Sequence, residues 1–122
     1  MRIVLTSTSP GLEAAIDPRF GRADYFLVVD IDTLEWEVHT NLGANAAGGA
    51  GIKAAQCIFN FNVAAAISGE FGPNAFDALQ AAGIAMYRYG DCRTASQAIE
   101  RFKVGQLEKI GAPTRQGHHG RG

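Results

Sequence analysis

The residues best equipped for chemistry sit in one short stretch, Asp17-Pro18-Arg19-Phe20-Gly21-Arg22-Ala23-Asp24. Two guanidinium groups flank a Phe-Gly pair. Pro18 fixes its own φ and biases Asp17 towards an extended or turn conformation. Gly21 permits a tight backbone between the two arginines. The apolar run Tyr25-Phe26-Leu27-Val28-Val29 follows directly and reads as a core strand. Arg19 and Arg22 are therefore delivered to the entrance of that strand. Arginines so placed either pair with the local carboxylates, Asp17 and Asp24, or face an anionic ligand. The residues alone leave both outcomes open.

Other reactive types are scarce. Cys92 stands beside Arg93 and just ahead of a helix N-terminus, a setting that favours thiolate and contact with a soft metal. Cys57 falls inside an expected helix, as a small buried hydrophobe. The turn Thr6-Ser7-Thr8-Ser9 offers hydroxyls to a phosphate, yet no GxGxxG or Walker pattern accompanies it and no helix follows directly. The three histidines are His39, on the exposed face of a strand, and His118 and His119 near the end. None sits near a Ser or Cys nucleophile, which argues against triad chemistry. The first strand, Arg2 to Ser7, carries no carboxylate, which argues against a two-metal nuclease. No closed four-ligand metal site is visible. If a metal is bound, it is expected to arrive inside a preassembled anionic cofactor, held by backbone N–H groups, arginines and at most one thiolate.

The elements that must position these residues follow from periodicity and punctuation. Arg2–Ser7 reads as a central strand and Thr8–Arg22 as a long loop, of the kind that often carries function. A second strand runs from Tyr25 to about Asp32. Glu35–Thr40 alternates, with Trp36 and Val38 on one face and Glu35, Glu37 and His39 on the other, as in a half-exposed hairpin strand. The small-residue stretch 41–51 opens a helix to about Phe59, with its glycines at or before the first turn. Val63–Ile67 is a buried parallel strand. Pro73 starts a second helix, Gly83 stops it, and Ile84–Tyr89 is the last strand. Thr94 and Gln97 form a capping box for a third helix, which Gly105 ends. From about Gln106 the chain is polar and glycine-rich and is expected to form a mobile tail.

The expected fold is thus α/β: three layers, a mixed five-stranded sheet whose second strand is antiparallel, and helices on both faces. Its carboxyl edge should gather Ser7-Thr8, Arg19–Arg22, Gly48–Gly51, Gly69–Pro73 and Asp91–Arg93. Two or three helix N-termini should point there, and open α/β sheets bind ligands, anions above all, at that edge.

The whole chain bounds these readings. Its 122 residues fit one domain, 47% apolar and 19% charged, which is a globular composition. A net charge of −1 offers no global field for nucleic acid or an acidic membrane, so an anion site must be local. No apolar stretch is long enough to span a bilayer, and no signal-peptide pattern is seen. The two cysteines form no disulfide framework, and a cytoplasmic protein is expected.

Taken together, certain segments resemble the dinitrogenase iron–molybdenum cofactor-binding domain family, which includes NifX-like carriers, the carboxyl-terminal domain of NifB and stand-alone members of the molybdenum–copper orange protein type. They are Asp17 with Arg19-Phe20-Gly21-Arg22-Ala23 and Tyr25-Phe26, Gly49-Ala50-Gly51-Ile52, Gly69 with Gly72-Pro73-Asn74-Ala75, Ala95 with Ala98-Ile99, and Gly105-Gln106-Leu107. The match covers residues 1–107 as one domain and leaves 108–122 as the tail. The resemblance implies a ribonuclease-H-like fold and a non-catalytic carrier for a molybdenum-containing metal–sulfur cluster, with copper or iron as second metal. It also implies exchange with a cluster-donating or cluster-accepting protein. Asn45-Ala46-Ala47 stands where several members carry a histidine, which favours anion recognition over ligation. The expected binding set is Ser7, Arg19, Phe20, Arg22, Gly49, Gly51, Gly69, Gly72, Asn74 and Arg93, with Cys92 as the candidate metal contact. Two rivals come from other classes. One is a small flavin- or nucleotide-binding enzyme using the hydroxyl-rich turn. The other is a cofactor-free regulatory module, suggested by the exposed hairpin edge.

Overall fold

The computed structural model of the chain describes residues 1–114. Its elements run β1 (Arg2–Ser7), β2 (Tyr25–Asp30), β3 (Trp36–Thr40), α1 (Ala50–Phe59), β4 (Ala65–Ser68), α2 (Pro73–Ala81), β5 (Ala85–Arg88), α3 (Ala95–Lys103) and β6 (Glu108–Lys109). Among the described residues one sheet holds every strand, in the order β3-β2-β1-β4-β5-β6. β1 pairs antiparallel with β2 and parallel with β4, and β4 pairs parallel with β5. β2 therefore runs against β1, as the hairpin pattern requires.

The sheet has six strands rather than five. Glu108–Lys109 adds antiparallel to the edge of β5, through the pairs Tyr87–Lys109 and Arg88–Glu108. Ile110 is buried behind it, and its N–H donates to the Met86 carbonyl at 3.0 Å. Thr114 is tied to Phe71 through backbone and hydroxyl. Residues 108–114, expected in a mobile tail, are thus docked on the domain. His118 and His119 lie outside the described residues.

Alternation on the strands sorts the core into two layers. Val4, Phe26, Val28, Ala66 and Met86 pack under α1 and α2, against Ala54, Ile58, Ala75, Phe76 and Leu79. Ile3, Leu5, Leu27, Val29 and Ile67 pack on the opposite face against Ala95, Ala98 and Ile99 of α3. The capping box on α3 forms as expected, with the Gln97 N–H donating to the Thr94 hydroxyl and the Gln97 side chain accepting from the Thr94 N–H. The sheet thus has an α1/α2 side and an α3 side. That division decides where the site can be.

Candidate functional site

Between the loop after β1, the turn before α1 and the turn before α2 lies a cleft of about 290 Å³. It is lined by Arg19–Arg22, by 47–52, and by Glu70 with Gly72–Ala75. Each wall is fixed by an identifiable local cause.

Phe20 secures the arginine turn. Its ring is 2% exposed, 5.2 Å from Phe71 and 6.0 Å from Phe26 between centroids. Burial of such a side chain stabilises by about 1.5–3 kcal/mol, enough to hold a short turn in place. The Asp17 carboxylate, also buried, accepts from the Arg19 backbone N–H at 2.9 Å, from Nε at 3.2 Å and from Nη2 at 3.1 Å. That two-point clasp raises the Arg19 pKa, first through the hydrogen bond and then through the charge of Asp17. Arg19 itself is 56% exposed, so its outer edge remains open to the cleft. Arg22 takes no carboxylate. Its Nη1 donates to the carbonyls of Ala44 at 2.9 Å and Ala46 at 2.7 Å, bracing the loop that leads into α1. Asn41, buried beside them, donates to the carbonyls of Gly21 and Ala23 and fixes the same turn.

Gly21 is where the two walls touch. A Cβ there would come within 2.8 Å of the Gly51 backbone nitrogen. Gly69 serves a different contact: a Cβ there would meet Pro18 at 2.5 Å. It allows the strap between β4 and α2 to lie on the arginine loop, where the Glu70 N–H donates to the Pro18 carbonyl at 2.6 Å and the Phe20 N–H donates to the Glu70 carbonyl at 3.3 Å.

The polar lining comes mainly from backbone. α1 starts at Gly49, in the left-handed region at φ 71°, and α2 at Gly72, in extended backbone. Neither cap supplies a side-chain acceptor, and neither first turn holds a carboxylate. The first backbone bonds are Lys53 N–H to Gly49 and Phe76 N–H to Gly72. The N–H groups of Ala50, Gly51 and Ile52, and of Asn74 and Ala75, therefore lack intrahelical acceptors. Both helices direct the positive ends of their dipoles to one cleft, which already holds two arginines. Glu70 is the one acidic residue in its lining.

The structure gathers Arg19, Phe20, Arg22, Gly49, Gly51, Gly72 and Asn74 of the expected set around this cleft. Gly69 lies beneath it, as a contact with Pro18. Ser7, Cys92 and Arg93 are elsewhere. The loop after β1 doubles back over the α3 side, where Ser7 pairs with Ile16, Ala15 pairs with Thr94, and the Ile16 N–H donates to the Arg93 carbonyl. Ser7 is fully buried and its hydroxyl donates to the Ser9 carbonyl. Thr6 and Thr8 likewise spend their hydroxyls on the Asp17 and Ala15 carbonyls. Three of the four hydroxyls that could have served a phosphate are thus bonded within the protein.

Cys92 departs from expectation in chemistry as well as place. It packs with Leu5, Tyr89 and Ala95 in the α3-side core, and burial pushes its thiol pKa up rather than down. The third helix N-terminus is closed by the Thr94–Gln97 box and does not join the cleft. The expected binding set left out Gly21, Ala47, Gly48, Ala50, Ile52, Glu70, Pro73 and Ala75, which also line the cleft; Gly21, Gly48, Ala50, Glu70 and Pro73 lie in segments expected at this edge, whereas Ala47, Ile52 and Ala75 do not.

Comparison with known proteins bears on this arrangement. Residues 1–105 match the family model described as dinitrogenase iron-molybdenum cofactor. The chain belongs to that family. An uncharacterized protein of Methanocaldococcus jannaschii is 32% identical over 98 residues, 78% of this chain and 82% of that one. The apo form of the orange protein from Desulfovibrio gigas superposes with a TM-score of 0.89 at 41% identity, covering 93% of this chain and 96% of that one. A NifB-like protein from Thermotoga superposes at 0.82 with 35% identity, covering 95% and 98%.

The donor set of the cleft limits what a cluster could find there. Among the described residues no Cys or His lines it, and no group of three or more His, Cys, Asp or Glu could hold a metal ion. The cleft offers N–H donors and positive charge in place of ligands. It fits a cluster that carries its own sulfide shell and presents that shell as an anion. Among the described residues no helix is long and apolar enough to cross a membrane.

Proposed function

We propose that the chain is a non-catalytic carrier of an anionic molybdenum-containing metal–sulfur cluster, with copper or iron as the second metal. The observation that carries the reading is the pair of uncapped helix N-termini, α1 and α2, opening beside Arg19 and Arg22 into one cleft. Family membership and the orange protein's likeness support it. The cluster is cargo. Its terminal sulfides accept from the free N–H groups of the two first turns, and Arg19 and Arg22 balance its charge. A cradle of this kind holds the cluster's outer shell and leaves its metals untouched, as transfer to or from a partner protein requires. A cytoplasmic place is part of the same proposal.

The test is elemental analysis with absorption spectra on protein purified without oxygen, before and after incubation with tetrathiomolybdate plus copper or iron. Stoichiometric molybdenum with sulfur-to-metal charge-transfer bands supports the carrier, and the retained second metal names the cluster type. A chain that takes up no metal under any of these conditions would sink it. A yellow chromophore released on denaturation would instead favour the flavin enzyme.

A further inference from the structure

The two edges of the sheet are finished differently. β6 is two residues long, and both, Glu108 and Lys109, are charged and exposed, a pattern that blunts strand addition. β3 is five residues long, Trp36 to Thr40, without Pro or Lys. Its apolar side chains are open, Trp36 at 44% and Val38 at 37% exposure.

The backbone of β3 fixes what such an edge can pair with. The Asp30 N–H donates to the Glu35 carbonyl and the Asn41 N–H to the Asp24 carbonyl, on either side of the register that sets Val28 opposite Glu37 and Phe26 opposite His39. Antiparallel bonding alternates, so Glu37 and His39 turn their N–H and C=O groups towards β2. Trp36, Val38 and Thr40 turn theirs outwards.

We propose that β3 pairs with β3 of a second copy, antiparallel, about a two-fold axis at Val38. In that register the outward groups of Trp36 meet those of Thr40 in the other copy, and Val38 meets Val38. The intervening positions then place Glu37 opposite His39 of the other copy, twice, by symmetry. The two residues already favour each other, since His39 Nε2 and Glu37 Oε1 are 3.0 Å apart within the strand. Shifting the register by one bonding pair would set Glu37 against Glu37, or His39 against His39. Pairing a carboxylate with an imidazole, rather than carboxylate with carboxylate or imidazole with imidazole, thus selects the central register. The face carrying Trp36 and Val38 becomes continuous across the axis, and the sheets join into one. The proposal is independent of the cluster reading.

The chain contains one tryptophan, so its fluorescence reports on this edge alone. The full chain is followed by sedimentation velocity and by emission over a wide range of protein concentration. The expected result is a monomer–dimer equilibrium with Trp36 emission shifting to the blue as dimer forms. Glu37→His and His39→Glu should each weaken self-association about tenfold, and their equimolar mixture should recover it as a hetero-dimer. Val38→Pro removes only an outward N–H and should leave a folded monomer. A chain that stays monomeric at every concentration overturns the proposal. So does dimerisation that neither charge variant weakens, or a mixture that fails to restore it.

Discussion

Gly72→Asp separates what α2 needs for stability from what the cleft needs for binding. Gly72 is the N-cap of α2, at φ −72° and ψ 171°, backbone that any residue adopts. A Cβ there meets nothing within 4 Å. An aspartate can therefore enter without strain and accept from the free N–H groups of the first turn. The gain over glycine is a few tenths of a kcal/mol from the cap and a similar amount from the dipole, about 0.5–1 kcal/mol together. For a domain of this size that raises the thermal midpoint by roughly 2–5 °C. The same carboxylate occupies donors that the anion would use and sets a negative charge in the cleft. Two unit charges about 6 Å apart repel by roughly 3 kcal/mol at an effective dielectric of about 20. Screening in an open cleft reduces this to about 1–2 kcal/mol, roughly a five- to thirtyfold loss of affinity. Thermal unfolding by circular dichroism and absorbance titration with tetrathiomolybdate read the two effects separately. Gly72→Ser, which caps without charge, should fall between parent and aspartate in both. A stabilised Gly72→Asp variant whose titration overlays the parent would refute the claim that α2 helps to hold the anion.

Other positions give sharper contrasts. Gly69→Ala drives a Cβ into Pro18 at 2.5–2.8 Å, partly against backbone, and should cost about 1–3 kcal/mol in chemical denaturation, whereas Gly48→Ala, with nothing within 4 Å, should cost little. Cys92→Ser should leave tetrathiomolybdate uptake unchanged, because the thiol lies in the α3-side core; lost uptake in a folded variant would return Cys92 to the site. Tyr89 gives a pH prediction. Its hydroxyl is buried, donates to the Thr6 carbonyl at 2.6 Å and accepts the Thr6 N–H at 2.8 Å, and burial drives its pKa well above the usual value. A folded-state pKa above the unfolded one gives a contribution that is complete below about pH 10 and is lost as pH rises beyond it. Cys92, shifted the same way by burial, begins to lose its contribution earlier, from about pH 9. Denaturation midpoints should therefore fall above about pH 10, and less steeply in Tyr89→Phe.

What could be read from the chain was whatever is decided locally. The capping box at Thr94 and Gln97 needs only four consecutive residues, and it forms. Pro73 and Gly83 bracket α2 for reasons contained in their own dihedrals. The alternation of Trp36 to Thr40 sorts its side chains between two faces because a strand has period two, but their exposure runs against expectation: Trp36 and Val38 are open, while His39 is half-buried against Phe61. Cys92 was misplaced because its position depends on which face of the sheet α3 covers, and that is set by the connections of the whole sheet. The pairing of Ala15 with Thr94, which seals that side, joins residues far apart in sequence. β6 escaped for a similar reason. Glu108 and Lys109 carry no apolar signal, and they pair because β5 would otherwise leave an open edge. The arginines were left open between two roles, and the structure gives each a structural partner while keeping both in the lining of the cleft.

Among the described residues, three helices divide by how their N-termini are closed. α3, on the far side of the sheet, is sealed by its own side chains. α1 and α2, which share the cleft, begin at glycines that contribute no acceptor. Glycine at an N-cap sacrifices only a few tenths of a kcal/mol relative to serine or aspartate, so two open ends lower stability little. In return the free N–H groups stay available, held at fixed spacing by the Gly21–Gly51 contact and by the Arg22 bonds to Ala44 and Ala46. Under the carrier reading this gives a receptor whose affinity comes from charge and hydrogen bonds around an intact sulfide shell. Loading and release then require no bond between protein and metal to form or break. Ligating cysteines would bind more tightly, but each would have to be displaced before the cluster could move on.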